Sequence, residues 1–205
     1  MIKIIDYKAG NAPSVLNAIT RLGFSAEYAH NARDLENATH IILPGVGSAK
    51  ATMQSLQEME LIKVLNDKVL QCKIPFLGIC VGMQILFEHS EEGDTSGENS
   101  GVVCLGWLKG KVVKFDSSKV RVPQMGWNRV WNDYFYFVNS YYAKPDDNSD
   151  IWGSADYNGV FTAAVRRDNI FGTQFHIEKS GEAGLELLCN FISSPSKQFT
   201  EGRPC

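Results

Sequence analysis

The apolar run over residues 74–87, interrupted by the letters GICVG at 78–82, constrains the fold of this chain more than any other segment. A strand that passes through a sharp turn into a helix has this pattern, and the turn presents Cys80 at the carboxyl edge of a sheet. We expect the two flanking glycines to leave room for a substrate and for strained backbone. The segment predicts a nucleophile elbow, although a buried structural cysteine beside a tight turn has the same pattern.

The first half of the chain alternates strand signals with helix signals. Strand-like segments at 1–6, 24–29 and 39–45 are separated by a predicted helix over 13–22 and followed by helical segments over 48–70. The helix over 13–22 has its apolar residues on one face, namely Val15, Ala18, Ile19 and Leu22. Such alternation predicts an α/β fold with a parallel sheet covered by helices on both faces.

The second half of the chain differs in composition and in predicted secondary structure. Residues 89–101 are rich in Gly, Ser and acidic side chains, which predicts a solvated loop without a chemical role. Short β-rich segments follow, with a hairpin turn expected at 167–169. A final helix is predicted over 181–192, capped by Ser180 and with one apolar face formed by Leu185, Leu188, Cys189 and Ile192. Because no linker divides the chain, we expect one domain over 1–205, with 193–205 as a C-terminal tail.

Composition excludes several classes of function. The 205 residues are 44% apolar, which is enough for the core of a soluble enzyme. A net charge of -3 without a basic block argues against a nucleic-acid or anionic-membrane surface. The N-terminus lacks the features of a signal peptide, so we expect a cytoplasmic protein. The five cysteines form no CxxC pair, which argues against a metal site and against a disulfide framework.

The chemistry of Cys80 requires a base, and His176 is the best candidate. Residues 172–175 read as a buried strand that delivers His176 to a strand end, and Glu178 follows two residues later. An imidazolium, the positive end of the helix after Cys80, or both would hold a reactive thiolate, and Glu178 would orient the ring. His30, His40 and His89 are expected to be ordinary: the first two flank strands, and His89 lies in the acidic loop.

A glycine-rich loop follows the third predicted strand. The letters LPGVG at 43–47 end a strand just before a helix, and backbone N–H groups there could form an oxyanion hole. A plain strand-to-helix turn would have the same composition. The loop is too short for a phosphate-binding loop and lacks its lysine.

Six motifs occur in an order that resembles class I glutamine amidotransferases. They are DYKAGN, LPGVG, GICVGMQ, QMGWN, FYFVNSYY and FHIEKS, and the resemblance extends from Ile2 to about Ile192. Within that family the chain resembles the glutaminase subunits of imidazole glycerol phosphate synthases. The resemblance implies a flavodoxin-like, mostly parallel sheet with an added β-rich portion.

The same resemblance implies roles for site residues. Cys80, His176 and Glu178 would form a triad that hydrolyses L-glutamine to glutamate and ammonia, without a cofactor or a metal. The remaining positions would hold the amino acid or supply oxyanion donors, namely Gln84 and Ser140-Tyr141 for the head group and Gly45, Val46 and Gly47 for the oxyanion.

A partner is also implied, because free ammonia would be protonated in water. In the synthases it passes to a (β/α)₈ cyclase subunit, which makes imidazole glycerol phosphate and an aminoimidazole carboxamide ribotide in histidine biosynthesis. Asn11, Trp127 and Lys179 match family positions that face this partner, so a heterodimer is expected. Trp127 could instead belong to the core, since a large aromatic after a turn packs there as readily.

Three positions depart from the family pattern. Lys8 replaces a usual glycine, Asn139 a usual histidine, and Ile177 the usual proline between the histidine and the glutamate. The first and second lie in segments expected to face the partner or the active-site entrance.

Three alternative functions are also compatible with the sequence. One is a paralogous glutaminase that supplies another acceptor, such as a sugar amidotransferase. The others are a non-catalytic regulatory or binding subunit and a stand-alone thiol protein in redox chemistry.

Overall fold

The computed structural model describes residues 1–8, 11–93 and 101–193. Most of the predicted acidic loop and all but the first residue of the predicted tail lie outside these ranges. In the first part of the chain, strands and helices alternate as the sequence predicts. These elements are β1 (Ile2–Ile5), α1 (Ala12–Arg21), β2 (Ala26–Ala29), β3 (His40–Gly45), α2 (Ala49–Glu58), α3 (Leu61–Leu65), β4 (Phe76–Cys80) and α4 (Val81–Gln84).

The second part of the described chain is mostly strand. A 3-10 turn covers Ala32–Leu35 and a π-helical turn covers Asn66–Gln71 in the first part, and two further 3-10 turns cover Asn148–Asp150 and Ile177–Lys179. The later strands and the last helix are β5 (His89–Ser90), β6 (Val102–Val103), β7 (Gly110–Lys114), β8 (Gln124–Val130), β9 (Asp133–Asn139), β10 (Tyr141–Pro145), β11 (Ile151–Asp156), β12 (Val160–Arg167), β13 (Ile170–Thr173) and α5 (Gly181–Ser193).

One large sheet joins the two halves of the chain. Its parallel part has the order β2-β1-β3-β4-β13, and it continues through the antiparallel β12 to β10, β7, β5 and β6, with β11 beside β12. Strands β8 and β9 form a separate antiparallel pair. This arrangement confirms the predicted α/β fold with a mostly parallel central sheet and an added β-rich portion.

The order of the parallel strands determines where a site can form. Strand β4 lies between β3 and β13, with Cys80 paired to Gly45 on one side and Ile79 paired to Thr173 on the other. The carboxyl ends of these three strands therefore meet at one edge of the sheet, where ligands bind in open α/β folds.

The burial of the strands follows from this topology. All residues of β1, β4 and β13 are buried, as expected for parallel strands covered on both faces, and apart from Lys3 and Thr173 the letters of these strands are apolar. The predicted apolar face of α1 is confirmed for Val15, Ala18 and Ile19, while Leu22 is half-buried.

Helix α5 differs from its prediction in two respects. Its buried residues are Gly184, Leu188, Phe191 and Ile192, whereas Leu185 and Cys189 are only half-buried. The expected cap is wrong as well: the hydroxyl of Ser180 donates to the carbonyl of His176 at 2.7 Å and accepts from the N–H of Tyr136 at 3.0 Å. The side chain connects two segments of the fold instead of capping the helix.

The turn between β12 and β13 agrees with the sequence prediction. Arg167 pairs with Ile170, so Asp168 and Asn169 form the turn of an antiparallel hairpin. His89, in contrast, begins strand β5 and pairs with Val103 and Lys111, so its expected place in a loop is wrong. Within the described ranges, no helix is both long and apolar enough to cross a membrane.

Candidate active site

Cys80 ends β4 in a strained backbone conformation. Its φ is 54° and its ψ is -109°, and α4 begins at the next residue. A non-glycine residue with positive φ at a strand-to-helix turn is the geometry of a nucleophile elbow. The side chain is largely buried but borders a cavity, as the sequence predicts for a cysteine at the sheet edge.

The glycines of the elbow serve backbone packing. A Cβ at Gly78 would lie 2.3 Å from the carbonyl oxygen of Gly82, and one at Gly82 would lie 2.1 Å from the carbonyl oxygen of Leu43. The expectation that these glycines leave room for a substrate is therefore wrong. They allow the turn after Cys80 to lie directly against β3 and β4, which holds the cysteine at the sheet edge.

His176 reaches the same edge from the end of β13. Its N–H donates to the carbonyl of Tyr136 at 2.9 Å, and its own carbonyl accepts from the hydroxyl of Ser180. Because Ser180 also binds the N–H of Tyr136, the backbone of His176 is attached to β9 at two points. The imidazole is thus positioned by the neighbouring strand pair as well as by its own strand.

Glu178 orients the imidazole. The Nδ1 atom of His176 lies 2.9 Å from Oε1 of Glu178, and the Nδ2 group of Asn11 donates to the same oxygen at 2.6 Å. Both side chains of the His176–Glu178 pair are almost fully buried. Among the described residues, Oε2 of Glu178 has no hydrogen-bond partner.

The pKa values of this pair are shifted in opposite directions. Burial by itself would lower the pKa of His176, but hydrogen bonds and charge interactions with Cys80 and Glu178 raise it to about 9. Burial would raise the pKa of Glu178, yet the hydrogen bond and the charge of His176 lower it, with a smaller contribution from Asn11. The site therefore favours an imidazolium held beside a carboxylate.

The sulfur of Cys80 has polar neighbours on several sides. It lies 3.8 Å from the carbonyl oxygen of Val138 and 3.6 Å from Nε2 of Gln174, and its interaction with His176 contributes to the raised pKa of that imidazole. Cys80 and His176 thus line the same cavity, and Glu178 is hydrogen-bonded to His176. Sequence reasoning identified these three residues but missed Gln174.

A cavity of about 260 Å³ opens beside Cys80 and His176. Its size suits a small metabolite better than a large ligand. Most of the predicted binding residues line it. They are Val46, Gly47, Gln84, Ser140 and Tyr141, joined by Pro123, Val138, Asn139 and Glu92.

The predicted oxyanion loop borders the cavity through two of its three residues. Val46 and Gly47 line the cavity, whereas Gly45 ends β3, where a Cβ would lie 2.4 Å from the N–H nitrogen of Gly82. The phenol of the buried Tyr7 accepts a hydrogen bond from Thr52 at 3.4 Å, and burial raises its pKa, with Val46 and Thr52 acting in the opposite direction. Gly47 has a φ of 100°, which only glycine adopts easily.

Glu92 is a cavity residue that the sequence did not reveal. It accepts a hydrogen bond from the N–H of Ala49 at the start of α2, and burial raises its pKa. One carboxylate of the acidic run therefore lies at the cavity, while the expectation that the run has no chemical role stays a prediction. Nothing in the local pattern separates Glu92 from the other acidic residues of its segment.

The three departures from the family pattern have distinct environments. Lys8 has a φ of 65°, a conformation that favours the glycine usual there. Asn139 is buried at the cavity, where its Nδ2 group donates to the carbonyl of Tyr141 at 2.9 Å. Ile177 is buried behind the site, and His176 before it keeps an extended backbone with φ -80° and ψ 95°, which a following proline would also favour.

The residues expected to face a partner differ in exposure. Trp127 is 57% exposed on β8, so its alternative place in the core is wrong, and Lys179 is exposed directly after Glu178. Asn11 is half-buried because its amide binds Glu178. The other histidines lie away from the cavity: His30 is near Asp6, and His40 packs edge-on against Phe191.

Comparisons with known proteins agree with this fold and site. Residues 3–194 match the family model described as Glutamine amidotransferase class-I. The chain is 45% identical over 210 residues to the imidazole glycerol phosphate synthase subunit HisH of Leptospira interrogans, covering 94% of this chain and 100% of the relative. It is 44% identical to subunit HisH 2 of Methanococcus maripaludis, over 94% of this chain and 98% of the relative.

Solved structures show the same architecture at lower identity. A crystal structure titled glutamine amidotransferase aligns with a TM-score of 0.73 and 16% identity, covering 94% of this chain and 99% of the other. The PurLQS structure from Thermotoga maritima aligns with a TM-score of 0.67 and 19% identity, over 93% of this chain and 96% of the matched one. Because the family model matches almost the whole length of this chain, the chain belongs to the class I glutamine amidotransferases.

Proposed function

We propose that this chain is the glutaminase subunit of an imidazole glycerol phosphate synthase. It hydrolyses L-glutamine to glutamate and ammonia, and the ammonia passes to a cyclase subunit in histidine biosynthesis. The relatives named as subunits of this synthase support the assignment. The observation that carries it is the group of Cys80, His176 and Glu178 at the edge of a cavity of amino-acid size.

The first half of the reaction releases ammonia. The sulfur of Cys80 attacks the carboxamide carbon of glutamine, and negative charge moves to the carboxamide oxygen. Protonated His176 then donates its proton to the nitrogen, so that the carbon–nitrogen bond breaks and ammonia leaves a glutamyl thioester. The raised pKa of His176, about 9, suits this donor role near neutral pH.

The second half regenerates the enzyme. His176, now neutral, takes a proton from water as the water oxygen attacks the thioester carbon. Collapse of this intermediate breaks the carbon–sulfur bond and releases glutamate. His176, which holds the proton taken from water, is then again an imidazolium beside the thiolate of Cys80. Glu178 orients the ring and stabilises its positive charge in both halves.

The cavity residues divide between the head group and the developing oxyanion. Gln84, the Ser140-Tyr141 backbone and Glu92 hold the amino acid, and the carboxylate of Glu92 pairs with its ammonium group. The loop of Gly45, Val46 and Gly47 supplies N–H donors to the oxyanion. These steps need neither a cofactor nor a metal.

A cyclase partner completes the function, because ammonia is useful only where it is protected from protonation. We propose that Asn11, Trp127 and Lys179 face a (β/α)₈ cyclase subunit in a heterodimer and that residues 1–205 form a single glutaminase domain. The exposed indole of Trp127 supports this, since large exposed aromatics are typical of protein interfaces. A second candidate keeps the hydrolysis but supplies another acceptor, and it is favoured by Asn139, which departs from the family pattern inside the cavity.

Glutamate formation from glutamine tests the proposal. The purified chain is assayed alone and with the cyclase subunit and its nucleotide ligand, and Cys80→Ala is the control. We expect slow hydrolysis alone, strong stimulation by the cyclase and no hydrolysis by the Cys80→Ala variant in either case. Hydrolysis that the cyclase leaves unchanged contradicts the assignment to this synthase and favours the second candidate.

A further inference from the structure

A chain of buried amides connects the cavity to the sulfur of Cys80. The Nε2 group of Gln174 donates to that sulfur at 3.6 Å, and Oε1 of Gln174 accepts from Nε2 of Gln84 at 3.0 Å. Gln84 also donates to the carbonyl of Tyr141 at 3.2 Å. Gln174 has no exposed surface, so it contacts neither solvent nor the cavity directly.

The direction of this chain is fixed by its far end. The carbonyl of Tyr141 can only accept, so the side of the Gln84 amide that faces it must carry the N–H donors. The Nε2 group of Gln84 also donates to Gln174, so the atom of Gln174 that faces it must be the acceptor oxygen. The other end of the Gln174 amide, the one beside Cys80, is therefore the donor end.

We propose that Gln174 is a catalytic residue that donates a hydrogen bond to the thiolate of Cys80 and is held in that orientation by Gln84. The inference rests on the proposed function for the identity of the reaction, but the contact itself concerns the free enzyme. Gln174 gives the thiolate a neutral donor in addition to the positive charge of His176.

The environment makes this donor effective. An N–H in a buried, low-dielectric site interacts with an anion more strongly than it would in water, and aligned amides polarise one another. The N–H group of Gln174 also stabilises the thiolate of Cys80 when it leaves, after water has attacked the thioester. Because Gln84 lines the cavity, a ligand that contacts its amide lies two hydrogen bonds from the nucleophile.

Alkylation of Cys80 by iodoacetamide tests the contact without glutamine, because the reaction rate follows the thiolate population. Modification of the Cys80 peptide is followed by mass spectrometry as a function of pH, which separates it from the other cysteines. The variants are Gln174→Met, which removes the donor at similar volume, and Gln174→Glu, which donates only when protonated. Gln124→Met is the matched control, since Gln124 is a buried glutamine on β8 whose Oε1 has no partner among the described residues.

The two variants should show opposite trends relative to wild type. Gln174→Met should react about tenfold more slowly at about pH 6 and approach the wild-type rate as alkali forms the thiolate anyway. Gln174→Glu should react nearly as wild type in acid and fall behind as pH rises, because its carboxylate then repels the thiolate. Gln124→Met should follow the wild-type profile.

A double variant tests the role of Gln84. If Gln84 acts on the sulfur through Gln174, alkylation of Gln84→Met/Gln174→Met is no slower than that of Gln174→Met. Additive losses overturn this part of the proposal.

The outcomes separate this inference from the proposed function. Gln174 variants with the wild-type pH profile of alkylation overturn the inference, even where glutaminase activity falls. The two opposite trends in a chain that hydrolyses no glutamine with any partner support the thiolate contact and overturn the proposed function instead. Should Gln174→Met fail to fold by circular dichroism, the trend in Gln174→Glu decides the question alone.

Discussion

Asn11 donates a 2.6 Å hydrogen bond to the catalytic-site carboxylate of Glu178, and this contact links the start of the first helix to the imidazole of His176. Asn11 occupies the N-cap position of α1, where an asparagine side chain usually accepts from the helix N–H groups. Here it makes no such cap. The amide of Asn11 binds Glu178 instead, and Lys179, which follows Glu178 in the chain, is exposed.

Replacement of Asn11 should impair turnover more than binding. In Asn11→Ala the buried carboxylate loses a donor, so we expect kcat to fall by about tenfold with KM for glutamine changed by less than about threefold. Asn17→Ala is the matched control, because Asn17 is exposed on the same helix and borders the same surface near Glu178. Steady-state glutaminase kinetics check this, and equal effects of the two variants would contradict the role of Asn11.

The ionisation of His176 should depend on both of its neighbours. We expect NMR titration to give a pKa of about 9 in the wild type and lower values in both variants, since Cys80→Ala removes the interaction with the sulfur and Glu178→Gln removes the carboxylate charge. An unchanged pKa of His176 in both variants would show that groups other than Cys80 and Glu178 raise it.

The same shift predicts how stability depends on pH. The folded chain binds the His176 proton more tightly than the unfolded chain, whose histidine has the ordinary value of 6.5. The stabilisation is fully present below about 6.5 and is lost as pH rises through about 9. Denaturant unfolding across this window should show a smaller loss in Glu178→Gln than in wild type, and a stability that rises with pH through it would contradict the sign.

The two triad partners of Cys80 should differ in their effect on turnover. His176→Ala removes the group that moves protons, so we expect kcat to fall by about a thousandfold or more. Glu178→Gln keeps a hydrogen-bond acceptor near Nδ1 and removes only the charge, so its loss should be smaller. Single-turnover measurements of glutamate formation give this ranking, and the reverse order would contradict the assigned roles.

Lys8 should be a source of strain that glycine relieves. Its φ of 65° costs an L-residue about 1 kcal/mol or more, so Lys8→Gly should raise the free energy of unfolding by up to about 1 kcal/mol after the entropy cost of glycine. Lys50→Gly is the control, because Lys50 is exposed in α2, where glycine should destabilise by a similar amount. Destabilisation by both substitutions would argue against strain at Lys8.

The parts of the fold that the sequence predicts depend on local patterns. The apolar letters of β4 and the glycines around Cys80 determine the elbow, and the alternation of elements in the first half determines the parallel sheet. The hairpin between Arg167 and Ile170 likewise follows from the turn residues between them. The positions of Cys80 and His176 then follow, because adjacent parallel strands end at the same edge.

The missed features depend on contacts between distant positions. Gln174 and Cys80 are separated by 94 residues, and Asn11 and Glu178 by 167, so no periodicity or motif spacing reveals these pairs. Ser180 was expected to cap α5 because its local position suits a cap, but its hydroxyl binds β9 across the fold. Tertiary hydrogen bonds override local preference at Gln174, Asn11 and Ser180.

Covalent labelling tests most directly whether Cys80 is the nucleophile of a glutamine site. The chain is treated with a chloroketone analogue of glutamine, with and without excess glutamine, and the modified peptides are identified by mass spectrometry. We expect a label on Cys80 that glutamine prevents, while the exposed Cys72 reacts slowly and is not protected by glutamine. A label spread over the cysteines according to exposure, and unaffected by glutamine, would contradict it.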